Sequence, residues 1–214
     1  MKAPALFENI SPESIEEMIG CFKPEIRSFR KGETILVYSS ELEYLCLLLS
    51  GRAHMYCTDS EGEYTLLENY GENDVFGELV AAVGGLGYAV QADSACRVMF
   101  IRFDCIYGRC PRACQHHSQL TSNLFRISAR KAQELALRIN MISKKSIRRK
   151  LEKFLEYQQS RRGDCFEVDM SLSQLAGYLC VDRSSMMREL KAMCDEGLIR
   201  REGRKICIIN LREA

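Results

Sequence analysis

The first hundred residues alternate between short apolar runs and polar turns. From about residue 26 to residue 103 these runs are rich in β-branched and aromatic residues, as in ETILVY, LCLLLSGRAHMYCT, EYTLLENYG and CRVMFIRF. Glycines or polar turns end each run, and Asp59–Gly62 (DSEG) has the composition of a hairpin turn. Strands spaced this closely predict an antiparallel barrel or sandwich. A short helix is predicted at 11–22, because Ser11 can cap it and Pro12 suits its first position.

After residue 111 the apolar period changes to three and four residues. The repeating positions are Leu120, Leu124, Ile127, Lys131, Leu135, Ile139 and Ile142. This spacing predicts one helix of about thirty residues, from about 112 to 142, with a single apolar stripe. Such a stripe either packs on the barrel of its own chain or forms a coiled-coil seam with a second copy. We expect a dimer seam formed by Leu120, Leu124, Ile127, Leu135 and Ile139, which Lys131 interrupts locally.

The C-terminal part has the pattern of two short helices followed by a hairpin. Ser171–Gln174 (SLSQ) is a capping box that begins a helix. Cys180–Val181 form a tight turn, where we expect Cys180 because a small residue is needed, and Asp182 can cap a second helix. The segment EGLIRREGRKICIINL predicts a β-hairpin whose turn includes Gly203. Two helices with a short turn and a basic hairpin predict a winged helix-turn-helix, whose second helix enters the DNA major groove.

The charge distribution agrees with a DNA-facing C-terminal part. The chain has 214 residues and is 46% hydrophobic, enough for one large or two small domains. Residues 1–142 carry 14 basic and 18 acidic residues, a net charge of −4, and residues 143–214 carry 16 and 11, a net charge of +5. A basic C-terminal part is typical of a nucleic-acid-binding domain.

The residues expected to contact DNA lie at the start of the second helix and at the tip of the hairpin. Arginines can form paired hydrogen bonds with guanine, and serines allow close approach to bases and phosphates. Cations at the hairpin tip can contact phosphates without reading sequence. The predicted contacts are Ser171, Ser173, Arg183, Ser184, Ser185, Met187, Arg188, Arg204 and Lys205. A helical hairpin that binds protein, with incidental charges, is the alternative interpretation.

These motifs together resemble the Crp/Fnr family of bacterial transcription regulators over nearly the whole chain. The matching segments are RKGETI (Arg30–Ile35), LLLSGRAHMY (Leu47–Tyr56), GENDVFGEL (Gly71–Leu79), the long helix, and LSQLAGYLCVDRSSMMREL. The resemblance implies an α+β chain with a double-stranded β-roll sensor at 1–111, a dimerisation helix and hinge at 112–142, and a winged helix-turn-helix at 143–214. Arg183, Ser184 and Arg188 match the family's base-reading positions. We expect the hinge near Asn140–Lys144.

The chain departs from the cyclic-nucleotide-binding members of this family, so we do not expect a cyclic nucleotide as its effector. Gly77–Glu78 match the pair that contacts the ribose in cyclic-nucleotide-binding members, but Leu79–Cys96, where the phosphate-binding arginine should follow, contains no Lys or Arg. A buried phosphate needs a paired cation or a dense set of donors. We therefore expect a small uncharged organic effector. The predicted pocket residues are Gly77, Glu78, Leu79, Tyr88, Ala89, Leu120 and Leu124.

The cysteines offer an alternative route for a signal. The chain has 11 cysteines, irregularly spaced, which does not suggest a disulfide framework, so we expect most to be reduced. Cys105, Cys110, Cys114 and His117 lie close in sequence, and thiolates with an imidazole suit zinc, iron or an iron–sulfur cluster. Their spacing matches no strong metal motif, and we expect Cys105 and Cys114 to pack at the junction of the barrel and the long helix. We predict no certain cofactor and keep redox or metal sensing as the alternative.

The remaining function classes are constrained by what the sequence lacks. No apolar run of about eighteen residues and no apolar signal core occur, so we expect a soluble, cytoplasmic protein. A cupin-type enzyme would need several histidines in the barrel, which has only His54, expected to be a packing residue. We predict a non-enzymatic homodimer that binds a palindromic DNA site, and RNA polymerase as a further partner if it is an activator. A sensor that controls another protein is the alternative.

Overall fold

The computed structural model describes residues 4–38, 43–62, 64–77, 87–107 and 115–211. The chain divides into two compact units, Met1–Lys131 and Ala132–Ala214. The division falls within the long helix, so each unit contains part of it. The predicted residues Glu78, Leu79, Cys110 and Cys114 lie outside the described part of the chain.

The first unit is built mainly from strands. Its elements are, in chain order, α1 (Pro12–Phe22), β1 (Glu25–Phe29), β2 (Thr34–Val37), β3 (Tyr44–Ser50), β4 (Ala53–Thr58), β5 (Tyr64–Tyr70), β6 (Val75–Phe76), β7 (Gly87–Ala92), β8 (Cys96–Arg102), α2 (Phe103–Tyr107) and the N-terminal part of α3 (Gln115–Ile142). One antiparallel sheet has the order β1-β8-β3-β6 and the other has the order β2-β7-β4-β5. This is the predicted double-stranded β-roll.

The apolar run of strand β3 does not alternate with polar residues because both faces of the strand are buried. Cys46 and Leu48 belong to the core that both sheets share. Leu45 and Leu47 point to the opposite face and pack with α1, α2 and α3. Successive side chains of a strand point to opposite faces, so a strand buried on both faces is apolar throughout.

The positions of the α3 side chains differ from those expected for the predicted dimer seam. Leu120 is 0% exposed, and Leu124 and Ile127 are each 5% exposed, because all three pack in the core of the first unit against α1 and β3. These side chains are covered by their own chain and offer no surface to a second copy. Leu135 and Ile139 are instead 51% and 62% exposed. The predicted stripe therefore contains residues of two different environments.

The second unit contains helices that surround a small sheet. After the end of α3 its elements are α4 (Ile147–Arg162), β9 (Cys165–Glu167), α5 (Leu172–Tyr178), α6 (Arg183–Asp195), β10 (Ile199–Glu202) and β11 (Lys205–Ile208). The sheet order is β10-β11-β9. The predicted inward residues of α6, Met186, Leu190 and Met193, are fully buried with Leu175 and Phe154.

Helix α4 was not predicted from the sequence, and neither were two features of the sheet in the second unit. Strand β9 adds a third strand to the hairpin, and Cys165 on β9 forms a disulfide with Cys207 on β11. The partners are 42 residues apart in sequence, so no local pattern joins them. The structure also bears on membrane association: among the described residues, no helix combines the length and apolarity that crossing a membrane requires.

Candidate DNA-binding site and sensor unit

The helix-turn-helix begins with the predicted capping box. The Gln174 backbone N–H donates to Ser171 Oγ at 3.2 Å, and the Ser171 N–H donates to Gln174 Oε1 at 2.9 Å. Both bonds satisfy amide groups that the first turn of a helix leaves unpaired. Ser171 and Ser173 are both exposed, so both predicted contacts are accessible in the described chain.

The turn between α5 and α6 uses an unusual backbone conformation at Cys180. Its φ is 51°, in the left-handed region that side chains disfavour. The turn is closed by the Val181 N–H, which donates to the Ala176 carbonyl at 3.0 Å. Lys150 Nζ, from α4, donates to the carbonyl oxygens of Leu179 and Cys180 at 3.2 Å each. A cation at these oxygens stabilises the C-terminal end of α5.

Asp182 caps the second helix and thereby fixes the residues that follow it. Its carboxylate accepts from Ser184 Oγ at 2.6 Å and from the Ser185 N–H at 2.8 Å. The hydrogen bond from the Ser184 hydroxyl, followed by that from the Ser185 amide, lowers the pKa of Asp182 to about 2. Arg183, Ser184 and Arg188 are exposed on the first two turns of α6, as predicted.

The other predicted contacts of α6 are less accessible. Ser185 is half-buried and accepts a hydrogen bond from Arg188 Nη2 at 2.9 Å, which orients that guanidinium along the helix. Met187, expected on the outer face, is half-buried and packs against the core of the second unit. Met187 therefore contributes to packing, and the exposed polar groups near the start of the helix are Arg183, Ser184 and Arg188.

The hairpin places its two predicted cations beside the tip. Strands β10 and β11 pair from Ile199 with Ile208 to Glu202 with Lys205, and Gly203 has a φ of 59° in the turn. Lys205 is exposed, whereas Arg204 Nη2 lies 2.7 Å from Glu167 Oε1 of β9. In this structure the Arg204 charge is therefore paired with a carboxylate of its own chain.

Arg148 supports α6 from α4, a role that no local motif indicated. Its Nε lies 2.6 Å from Glu189 Oε1, and its two terminal nitrogens lie 2.6 Å and 2.5 Å from the Glu196 oxygens. The Glu196 hydrogen bonds, followed by that to Glu189, raise the pKa of Arg148. Planar, paired contacts of this kind fix orientation as well as distance. Arg148 therefore sets the position of α6.

Arg138 joins the end of α3 to the helix-turn-helix. Arg138 is 7% exposed, its Nε donates to the Tyr178 carbonyl at 3.0 Å, and its guanidinium carbon lies 4.5 Å from the centre of the Tyr178 ring. A buried cation needs such partners, because leaving water is costly for a charge. The last turns of α3 are thus attached to α5.

In the first unit, the predicted pocket begins at a turn that only glycine tolerates. Gly77 has a φ of 94°, and a Cβ there would lie 2.3 Å from the Tyr44 carbonyl oxygen. Its N–H donates to the Tyr38 hydroxyl at 3.2 Å. Tyr88 is half-buried and Ala89 is buried on β7, while Leu120 and Leu124 belong to the core described above.

Lys131, interpreted from sequence as an interruption of the stripe, has a defined position in the first unit. Its Nζ donates to the Val75 carbonyl at 2.7 Å and lies 3.1 Å from Glu68 Oε1. The ammonium also lies 4.9 Å from the centre of the Tyr70 ring. Lys131 therefore attaches α3 to β5 through Glu68 and to β6 through Val75. Val75 lies two residues before Gly77 in the chain.

The described members of the cysteine–histidine group make packing contacts. His117 Nε2 lies 3.2 Å from the Cys105 carbonyl oxygen, and the His117 ring packs edge-on against Phe22. Burial raises the pKa of the Cys105 thiol, and the hydrogen bond with Asp104 adds to this shift. Among the described residues no group of three or more His, Cys, Asp or Glu side chains is arranged to hold a metal ion.

His54 is buried on β4 and contacts two polar side chains. Its Nε2 meets the Tyr64 hydroxyl, and its Nδ1 lies 3.1 Å from Asp93 Oδ1. Burial, with a smaller contribution from Asp93, raises the pKa of Tyr64 to about 12. The phenol therefore stays protonated at neutral pH and can donate to the imidazole.

Comparisons with known proteins agree with both units. Residues 26–113 match the cyclic nucleotide-binding domain model, and residues 148–213 match the Crp-like helix-turn-helix domain model. The chain is 26% identical to the "Probable transcriptional regulator flp" of Lacticaseibacillus casei, over 97% of this chain and 93% of that protein. It is 24% identical to the cyclic AMP receptor protein of Thermus thermophilus, over 94% of this chain and 90% of that protein. The solved structure of OCPA-complexed CprK matches with a TM-score of 0.71 at 18% identity, over 92% of each chain.

A β-roll with a cyclic-nucleotide-binding pattern, a long helix and a helix-turn-helix define a transcription regulator with a DNA-binding domain. The chain belongs to the Crp/Fnr family. The predictions of family, fold class and a non-enzymatic role are confirmed, since the relatives are transcription regulators.

Proposed function

We propose that this protein is a homodimeric regulator that reads a palindromic DNA site with α6, under the control of an effector bound in the β-roll. The exposed start of α6 is the observation that carries the proposal. Asp182 fixes the first turn, Arg183, Ser184 and Arg188 face solvent, and the opposite face is anchored in the core. A rigid helix with exposed arginines near its N-terminus can enter a major groove and bond base edges. Such a regulator acts on DNA in the cytoplasm.

The test is selection of a binding site from random-sequence DNA with the full-length protein. We expect a twofold-symmetric site, with half-sites about 34–36 Å apart. Arg188→Ala should lose about 1–3 kcal/mol of discrimination at one base pair of each half-site. Lys191→Ala is the matched control, because it removes an exposed cation of the same helix two turns from its start, and it should leave base preference unchanged. Unaltered preference in Arg188→Ala would refute the assignment of α6 as the reading helix.

Salt dependence separates DNA binding from the alternative of a module that controls a protein partner. The logarithm of DNA affinity should fall with the logarithm of salt concentration by about 0.9 per phosphate contacted. Lys205→Ala should reduce this slope by about 1 and weaken all sequences alike. Arg204→Ala should have a smaller effect, because Glu167 already pairs with Arg204. Failure to select any site would favour the protein-partner alternative.

The proposed dimer seam is the exposed face of α3, in place of the face predicted from sequence. Phe125 is 75% exposed, and the face continues at alternating steps of three and four through the exposed Ser128, Ala132, Leu135 and Ile139 to the half-buried Ile142. This spacing is that of the a and d positions of a coiled coil. A second copy of the same helix is the partner that fits an exposed apolar seam on a helix of 28 residues.

Analytical ultracentrifugation tests the seam. Ile139→Glu should convert the dimer to a monomer, because it places a charge within the apolar contact. Gln133→Glu adds the same charge at an exposed position off the seam and should leave the dimer intact. A dimer that persists in Ile139→Glu would place the interface elsewhere.

We propose that the effector is a small uncharged organic molecule. The absence of Lys and Arg from Leu79–Cys96 supports this choice, because nothing in that stretch would neutralise a cyclic phosphate. One structural relative was solved with a ligand, OCPA, and another relative is named for cyclic AMP. Calorimetry with cyclic AMP and cyclic GMP should give no heat of binding, and saturable binding of either would overturn the proposal.

Redox or metal sensing through Cys105, Cys110, Cys114 and His117 is the second candidate for the signal. The raised pKa of the Cys105 thiol and the contact of His117 with a carbonyl oxygen do not favour it. Metal and sulfide analysis of protein purified without oxygen decides between the two. Stoichiometric iron or zinc would establish the second candidate, and metal-free protein would direct the search to the β-roll.

A further inference from the structure

The disulfide of the second unit joins directly opposed residues at one edge of the sheet formed by β9, β10 and β11. We call this three-stranded sheet the wing. Cys165 and Cys207 are register partners with their Cα atoms 4.1 Å apart. The Val168 N–H donates to the Arg204 carbonyl, and the Ile208 N–H donates to the Asp164 carbonyl. The cysteines therefore occupy a non-hydrogen-bonded pair, where opposed side chains approach most closely.

We propose that Cys165 and Cys207 form a reversible thiol–disulfide site that couples the redox state of the surrounding thiols to the DNA-binding unit. Cys165 is exposed on β9, which is an edge strand, so a thiolate can reach its sulfur from solvent. Cys207, on the neighbouring strand β11, is 8% exposed. Exposed disulfides are the ones that exchange with small thiols.

The disulfide encloses the elements that form the candidate DNA-binding site. The segment between its ends, residues 166–206, includes α5, α6, β10 and the start of β11. Closing a loop of this length restricts the unfolded chain strongly, so the oxidised unit is the more stable one. The DNA consequence rests on the proposed function, in which these same elements contact DNA.

The bond also lies next to the cations of the wing. Lys205 and Glu167 form the next non-hydrogen-bonded pair along the same two strands, on the same face as the disulfide. Glu167 in turn pairs with Arg204 at 2.7 Å. Strand β9 is only three residues long, and the bond holds it against β11. Reduction leaves the wing with a weaker third strand and its cations less ordered.

The exchange needs only a low-molecular-weight disulfide as oxidant. The Cys165 thiolate attacks one sulfur of that disulfide, whose S–S bond breaks and releases one small thiol, which takes a proton. The Cys207 thiolate then attacks the Cys165 sulfur of the mixed disulfide and releases the second small thiol. Two protein thiols are oxidised, one small disulfide is reduced to two thiols, and two protons pass to the released thiols. Reduction follows the reverse path.

The experiment equilibrates the full-length protein without oxygen in mixtures of reduced and oxidised glutathione. Trapping of free thiols followed by peptide mapping should show the Cys165–Cys207 bond forming and breaking reversibly across the series. In urea, the midpoint of unfolding of the second unit should be lower by about 1–2 M in the reduced protein. The Kd for the selected DNA site should rise about three- to tenfold on reduction, because the wing is then less preorganised.

Two variants identify the cysteines responsible. The Cys165→Ser/Cys207→Ser double variant should lose both redox-dependent shifts while keeping its circular dichroism spectrum. Cys180→Ser should retain them, although Cys180 is an exposed free thiol of the helix-turn-helix and therefore a competing target for glutathione. Redox shifts that disappear in Cys180→Ser and persist in the double variant would overturn the proposal.

The remaining outcomes separate this inference from the proposed function. A bond that persists under excess reduced glutathione, or thiols that stay free under excess oxidised glutathione, would overturn the reversible site whatever the protein binds. Reversible mapping and a shifted urea midpoint without any selected DNA site would support the thiol–disulfide site and refute the proposed function. Specific DNA binding with one Kd in both states would support the proposed function and refute the coupling.

Discussion

Arg138 allows a direct measurement of how firmly the end of α3 is held to the helix-turn-helix. Arg138→Met keeps an aliphatic side chain in the buried position and removes the hydrogen bond to the Tyr178 carbonyl and the contact with the Tyr178 ring. A hydrogen bond from a charged group contributes about 1.5–3 kcal/mol, and a desolvated cation–π contact contributes about 2 kcal/mol. Part of this sum is offset because methionine has no charge to desolvate. We expect a net loss of about 2 kcal/mol in the free energy of unfolding of the second unit.

The assay is urea unfolding followed by circular dichroism. With a slope of about 2 kcal/mol per molar, the loss corresponds to a midpoint lower by about 1 M. Arg138→Lys keeps the charge and loses the planar face, so its midpoint should fall between those of the other two proteins. Arg130→Met is the matched control, since Arg130 is an exposed arginine of the same helix. An unchanged midpoint in Arg138→Met, or an equal fall in Arg130→Met, would refute the reasoning.

Three further predictions concern other parts of the chain. Gly77→Ala should destabilise the first unit by about 1–3 kcal/mol, because the φ is positive and the new Cβ clashes with a backbone oxygen. Gly32→Ala is the control and should cost less, because Gly32 has a φ of 87° but no atom within 4 Å of its Cβ position. Equal urea midpoints for the two variants would contradict this prediction. Asp182→Ala should destabilise the second unit at neutral pH. Because the folded pKa of Asp182 is lowered from 3.8 to about 2, its contribution is complete above about pH 4 and is lost as the pH falls through 2. The difference in urea midpoint from the parent should therefore narrow between pH 5 and pH 2, and a constant difference would count against the cap. Lys131→Met should lower the unfolding midpoint of the first unit, because the Val75 carbonyl loses its donor; an unchanged midpoint would show that water replaces the ammonium.

The sequence was most informative where structure depends on neighbours along the chain. The sequence predicted the capping box at Ser171, the cap at Asp182 and the turn at Gly203. Within each of these motifs, the interacting residues lie no more than four positions apart in the chain. Their hydrogen bonds follow from local geometry, so composition and spacing are sufficient to predict them. The inward residues of α6 follow for the same reason, because a helix repeats every 3.6 residues.

The long helix shows where periodicity is ambiguous. The apolar stripe predicted the helix correctly but did not say which molecule covers each part of it. Leu120, Leu124 and Ile127 face the chain's own core, whereas Phe125 and Leu135 lie on a different, exposed face. Both faces satisfy steps of three and four residues, so only the positions of the neighbouring strands distinguish them.

The sequence by itself determined the class of protein, the succession of β-roll, long helix and helix-turn-helix, and the face of α6 that carries the arginines. The tertiary structure decided the contacts between distant residues: Arg148 with Glu196, Arg138 with Tyr178, and Cys165 with Cys207. The physical reason is that local hydrogen bonds and side-chain periodicity are set by the backbone geometry of a few consecutive residues. An ion pair, a buried cation or a disulfide forms only after packing has brought separate segments to within a few ångströms.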